Sequence, residues 1–109
     1  MDAFLYQLEA RKYKIYPNES KIIYPVLGLV GEAGETANLI KKVIRDSSGN
    51  FNNPEFISKL KDELGDVLWY LAAICEDLNL NLSDIAARNL NKLEDRYVRK
   101  TLGGSGDDR

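Results

Sequence analysis

Four acidic residues, arranged as two pairs with the same spacing, are the side chains of this 109-residue sequence best suited to chemistry. Glu32 and Glu35 are three residues apart, and Glu63 and Asp66 repeat the spacing after 27 intervening residues, 36 to 62. Residues three apart on a helix lie on one face. If two such helices pack, four carboxylates converge and their repulsion requires a cation. A ligand set made only of oxygens suits Mg²⁺ or Mn²⁺.

The apolar residues around these pairs strengthen the metal hypothesis. Asp66 projects into an apolar stripe that contains Leu60, Leu71 and Leu78. An unpaired buried carboxylate is costly, so Asp66 must be protonated, bound to metal, or paired with a lysine or arginine of a neighbouring helix. For Asp66 alone, the ion pair and the metal ligand are equally open. A single E-x-x-E is usually a solvated helix face, but two pairs bordered by apolar residues favour a metal site.

Basic and amide side chains fall at spacings that would serve a polyphosphate. Lys42 lies seven residues after Glu35 and shares its helix face, while Asn89, Lys92 and Arg96 step by three and four along a later helix. Cations beside a carboxylate–metal cluster are what phosphate groups need. A basic stripe near a helix C-terminus is also favoured by the helix dipole alone. Spacing does not separate the two interpretations.

Composition excludes several classes of function. The chain has no histidine, which removes Ser-His-Asp and Cys-His catalysis, histidine zinc sites and Glu-x-x-His di-iron bundles. A net charge of −2 gives no electrostatic footprint for nucleic acid or a membrane surface. No apolar run reaches the roughly 18 residues of a membrane span, and the N-terminus lacks the basic start of a signal peptide. The single Cys75 in an apolar run predicts a core thiol in a reducing cytoplasm.

The periodicity predicts an all-α, four-helix bundle-like fold in one domain over residues 1–102, followed by a flexible C-terminal tail over residues 103–109. The first helix is expected over residues 2–15. The second begins between Ser20 and Pro25 and ends near Asp46. The third is capped by Asn53, and the fourth is capped by Ser83 and ends near Val98.

Residues 67–75 are apolar on nearly every helix face. Such a helix must be covered all round, and three short helices can hardly do so. We therefore expect a dimer core built partly on Leu68, Trp69 and Ala73.

Together these residues resemble the E-x-x-E…E-x-x-D signature of the MazG-like all-α nucleoside triphosphate pyrophosphohydrolases. The signature is carried by Gly31-Glu32-Ala33-Gly34-Glu35 and Glu63-Leu64-Gly65-Asp66. Further similarity to small members lies in Tyr6-Gln7, Asn89-x-x-Lys92, Arg96-Tyr97 and Gly104-Ser105-Gly106-Asp107. One copy of the signature and no second domain make the chain similar to the short single-domain relatives.

The resemblance implies a cytoplasmic homodimer, or a homotetramer built as a dimer of dimers, that uses Mg²⁺ to cleave a nucleoside triphosphate of the nucleotide pool to the monophosphate and pyrophosphate. By matching positions it implies that one glutamate activates water, that the metal is held by Glu32, Glu35, Glu63 and Asp66, and that phosphate or sugar is contacted by Lys42, Asn89, Lys92 and Arg96. Tyr6, Gln7, Trp69 and Tyr70 are candidates for the base, or else for core and interface packing.

Two alternatives remain open at this point. One is a pyrophosphohydrolase that acts on a different substrate, such as a phosphoribosyl-nucleotide. The other is a non-catalytic helical dimer whose acidic residues bind metal only to assemble the protein.

Overall fold

The protein is all-α. The computed structural model describes residues 1–109 and contains four helices and no strand: α1 (Ala3–Ala10), α2 (Ile23–Asp46), α3 (Pro54–Asp77) and α4 (Leu82–Val98). Short 3₁₀ turns lie at Arg11–Tyr13 and Asn18–Ser20. The predicted fold class and number of helices are confirmed. None of the four helices is both long and apolar enough to cross a membrane.

Helices α2 and α3 form a long antiparallel pair that positions the acidic residues. Gly28 near the start of α2 meets Tyr70 in the second half of α3. At the other end, Val43 and Phe56 line the same surface groove. As predicted, Asn53 caps α3: its side-chain oxygen accepts from the Glu55 amide at 2.9 Å and from the Phe56 amide at 3.4 Å. Because the pair is antiparallel, the middle of α2 lies beside the middle of α3.

One side chain of α1, Gln7, joins α1 to the corner between α3 and α4. Its Nε2 donates to the carbonyl of Leu80 at 2.8 Å and to Glu76 at 3.1 Å, and its Oε1 accepts from the Leu82 amide at 2.7 Å. The prediction that Ser83 caps α4 is wrong, because the helix begins at Leu82. Gln7 supplies the capping oxygen instead, from 75 residues away in sequence.

A buried carboxylate, Asp77, anchors the segment between α1 and α2. Its side chain is 0% exposed, and it accepts from Lys14 Nζ, the Tyr16 hydroxyl and the Ile22 amide, each at 2.9 Å. Burial alone would raise the pKa of Asp77, but these hydrogen bonds outweigh it and hold the pKa below its ordinary value. The anchored backbone includes Ile22 at φ 70°, a left-handed conformation that few non-glycine residues adopt.

One chain leaves much of its apolar surface open. Its radius of gyration is 16.9 Å, against about 13 Å for a compact domain of this length, and only 10 of 109 residues are buried. The predicted bundle-like closure is not shown by a single chain. The dimer core expected on Leu68, Trp69 and Ala73 stays a prediction. Within one chain, Trp69 Nε1 donates to the Ala10 carbonyl at 3.2 Å, and Ala73 is already buried. Leu68 is 39% exposed.

Candidate metal centre

Three of the four predicted acidic residues meet between α2 and α3. One carboxylate oxygen each from Glu32, Glu63 and Asp66 lies within 4.8 Å of the others. We call these three residues the carboxylate trio. Glu32 comes from the middle of α2, and the three-residue spacing of Glu63 and Asp66 turns both toward it. Three oxygens at such separations can bind one hard divalent cation.

The electrostatics of this group favour a cation. Hydrogen bonding with the neighbouring Glu63 carboxylate, then burial, and then the charges of Asp66, Glu63 and Glu35 raise the pKa of Glu32 above its ordinary value. No lysine or arginine forms an ion pair with any carboxylate of the trio. Glu63 Oε2 is buried and has no hydrogen-bond partner, which is costly for a carboxylate oxygen. The ion pair that the sequence allowed for Asp66 is therefore not formed, and the residues fit a bound cation.

The burial differs from the sequence-based expectation. Asp66 is exposed, and the buried carboxylate oxygen belongs to Glu63. The apolar stripe in which Asp66 was placed is itself open, with Leu71 38% and Leu78 44% exposed. The helical projection located the stripe, but a single chain provides no helix to cover it.

Glu35 is the predicted ligand that lies outside the trio. It is exposed and sits one turn beyond Glu32 on α2, close enough for its charge to contribute to the raised pKa of Glu32.

The glycines around the acidic residues have two different surroundings. A Cβ on Gly28 would overlap the ring of Tyr70, so this glycine permits close helix packing. A Cβ on Gly31, Gly34 or Gly65 would meet no atom within 4 Å. Open space therefore lies beside these three glycines on the two helices, and close packing within the chain explains only Gly28.

Two tyrosines lie near the trio. Burial, and then the charge of Asp66, raise the pKa of Tyr6 on α1. Burial, Tyr24, Glu32 and Asp66 together raise the pKa of Tyr70. Sequence reasoning could not separate these two from Gln7 and Trp69, which the fold uses for its own hydrogen bonds.

The predicted substrate-binding residues make no hydrogen bond or ion pair with the trio within one chain. Lys42 is about 10 Å beyond Glu35 along α2, at 1.5 Å per residue, where it lines the groove at the far end of the helix pair. Asn89 is exposed on α4. Lys92 and Arg96 bind Asp107 of the C-terminal segment, residues 102–109. None of the four forms a hydrogen bond or ion pair with Glu32, Glu35, Glu63 or Asp66.

Comparison with known proteins identifies the family. Residues 24–99 match the MazG nucleotide pyrophosphohydrolase domain, and the chain belongs to this family. It is also 43% identical over 115 aligned residues to the Gene 37 protein of Mycobacterium phage L5, with 100% of both chains covered. No solved structure is significantly similar to it. The matched range holds all four acidic residues and leaves out α1 and the C-terminal segment.

Proposed function

We propose that this protein hydrolyses nucleoside triphosphates of the cytoplasmic nucleotide pool to nucleoside monophosphate and pyrophosphate, using Mg²⁺ or, in its place, Mn²⁺. The observation that carries the proposal is the group of Glu32, Glu63 and Asp66, with a buried Glu63 oxygen that lacks a partner. Family membership supports the reaction type.

The four carboxylates take two different parts in this proposal. Glu32, Glu63 and Asp66 hold the cation. A bound divalent metal neutralises charge on phosphoryl oxygens and lowers the pKa of water. Glu35, which is exposed and one turn beyond the trio, accepts the proton of the attacking water at a carboxylate oxygen. Phosphoryl transfer needs little beyond such positioning and charge stabilisation.

The site is completed in an oligomer under this proposal. Lys42, Asn89, Lys92 and Arg96 bind the phosphates or sugar in this proposal, and within one chain none of them is bonded to the trio. The exposed apolar surface and the radius of gyration of 16.9 Å favour a homodimer or homotetramer in which helices of a second copy cover the open face. Groups from two copies then meet at one site.

A pyrophosphate-release assay on a nucleotide panel tests the proposal. The panel includes a phosphoribosyl-nucleotide, with Mg²⁺ and with EDTA. Glu35→Gln and Asp66→Asn should each abolish release while remaining oligomeric. Glu55→Gln makes the same type of change at an exposed position of α3 outside the trio and should keep activity.

Each other outcome has a defined meaning. Turnover of the phosphoribosyl-nucleotide alone would identify a different substrate for the same type of reaction. Orthophosphate in place of pyrophosphate would place cleavage at another bond. No turnover of any compound, together with loss of assembly in EDTA, would overturn the enzyme in favour of a metal-assembled structural dimer.

A further inference from the structure

The C-terminal segment, residues 102–109, folds back on α4 as a closed turn. Gly104 at φ 94° and Gly106 at φ 83° allow the chain to reverse. The guanidinium of Arg109 then donates to the carbonyls of Gly106 and Leu102 and closes the turn. A hydrogen bond from Arg99 of the preceding segment to the Arg109 carbonyl, at 2.8 Å, joins the turn to the end of α4.

This turn presents one carboxylate, Asp107, to two cations of α4. Its Oδ1 accepts from Lys92 Nζ at 3.0 Å and from Arg96 Nη2 at 3.1 Å. Its backbone carbonyl accepts from Arg96 Nη2 at 2.8 Å. These two side chains lower the pKa of Asp107 by hydrogen bonding and by charge, so the carboxylate is ionised at neutral pH. A single oxygen therefore holds two positive groups side by side.

Arg96 depends on this contact. Its side chain is 5% exposed, and Asp107 is its one ion-pair partner. A buried charge without a partner is strongly unfavourable. Its Nε and Nη1 make no hydrogen bond within the chain, and the ammonium of Lys92 uses one of its three donors on Asp107. Lys92, Arg96 and Asp107 together carry one net positive charge, and the two basic side chains keep several free donors for a second anion.

We propose that Asp107 is a positioning residue that holds Lys92 and Arg96 around one carboxylate oxygen, so that their remaining donors bind a phosphate group of the substrate. This inference rests on the proposed function, because it takes the anion to be the polyphosphate. Without Asp107 the two cations repel each other, and Arg96 turns toward water. The opposite role, an internal competitor for the phosphate, would require Asp107 to weaken binding.

The experiment compares three full-length variants with the wild type. Asp107→Asn removes the charge, and Asp107→Glu restores it one methylene further out. Asp108→Asn removes a neighbouring charge that makes no ion pair, which makes it the matched control. For each variant we would measure kcat and KM for pyrophosphate release, the inhibition constant of inorganic pyrophosphate, and the melting temperature.

A positioning role predicts that Asp107→Asn raises both KM and the inhibition constant about tenfold, because charge-assisted hydrogen bonds are lost. The value of kcat should change little, whereas the melting temperature should fall because the buried Arg96 loses its one ion-pair partner. Asp107→Glu should recover much of the affinity and of the melting temperature. A lower KM in Asp107→Asn would identify a competitor and overturn the proposal. An effect on KM and on the inhibition constant no larger than that of Asp108→Asn, or a fall of kcat with KM unchanged, would overturn it as well.

Failure of the proposed function is distinguishable from failure of this inference. If the wild type releases no pyrophosphate from any nucleotide, calorimetric titration of the same variants with inorganic pyrophosphate still measures the anion site. Weaker binding in Asp107→Asn alone would then support the positioning role, and unchanged or tighter binding would refute it.

Discussion

Replacing Glu63 by glutamine tests two properties of the carboxylate trio separately: how much it destabilises the metal-free fold, and how strongly it binds metal. In the absence of metal the trio destabilises the fold, because three acidic groups converge without a counter-ion. Glu63 is also the member with the buried, unpartnered oxygen. Glu63→Gln keeps the shape, removes one charge and adds donors beside acidic neighbours. The variant should therefore be more stable than the wild type without metal and worse at binding metal.

The magnitude follows from the geometry. One oxygen of each carboxylate lies within 4.8 Å of the others, and at that distance two unit charges repel by roughly 3 kcal/mol at an effective dielectric constant of about 20. Because Asp66 is exposed, water screens part of this repulsion. We expect a gain of about 1–3 kcal/mol in the free energy of unfolding without metal. Metal affinity should fall more than tenfold, since loss of residues that merely support ligands already costs about 10–100-fold.

The assay is thermal unfolding at fixed protein concentration, in EDTA and over a series of Mg²⁺ concentrations. In EDTA the melting temperature of Glu63→Gln should rise by several degrees, at about 4–8 °C per kcal/mol. Its further rise with Mg²⁺ should be smaller than that of the wild type, and pyrophosphate release should be lost. Glu55→Gln serves as the control on the same helix. A Glu63→Gln variant that is less stable in EDTA, or that keeps wild-type turnover, would refute the reasoning.

Three further predictions concern stability. Because the pKa of Glu32 is raised above its ordinary 4.5, the folded state holds a proton that the unfolded chain releases. Stability in EDTA should therefore fall as the pH rises from 4.5 through the raised pKa, and thermal melts of Glu32→Gln should lack this slope. Gly28→Ala should lower the free energy of unfolding by about 1–3 kcal/mol in urea titrations, because its methyl group would overlap Tyr70; unchanged stability would contradict that packing. Asp77→Ala should cost about 3 kcal/mol or more by removing the buried partner of three donors, and rapid hydrogen exchange at the Ile22 amide should report the loss.

Local sequence signals predicted the elements of this fold well. Period-3.6 apolar spacing and the Asn53-Pro54 pair located α2 and α3, and α3 begins where the cap predicted. The first helix ends at Ala10, earlier than the expected residue 15, and Ser83 was an incorrect cap. Both errors have a tertiary cause. Trp69 of α3 donates to the Ala10 carbonyl where α1 ends, and Gln7 of α1 accepts from the Leu82 amide where α4 begins.

The acidic group was predictable because helix geometry relates spacing to direction. Two pairs at three-residue spacing can face one another when antiparallel helices pack, and Glu32, Glu63 and Asp66 do so, whereas Glu35 lies outside the group. Their burial was not predictable from one sequence, since it depends on how many helices cover the site. The contact of Asp107 with Arg96 depends on a chain reversal at two glycines. Composition identified that segment only as a tail.

The bonds of Gln7 and Asp77 bear on where the self-sufficient folding unit begins. The family match starts at Tyr24, but two backbone groups of the corner after α3, the Leu80 carbonyl and the Leu82 amide, are bonded by Gln7. Asp77 likewise takes all of its donors from residues before the match. A fragment trimmed to residues 24–99 would expose the carbonyl of Leu80 and leave a buried charge without partners. The first 23 residues thus act as an internal scaffold, which sets the direction in which α4 leaves the helix pair.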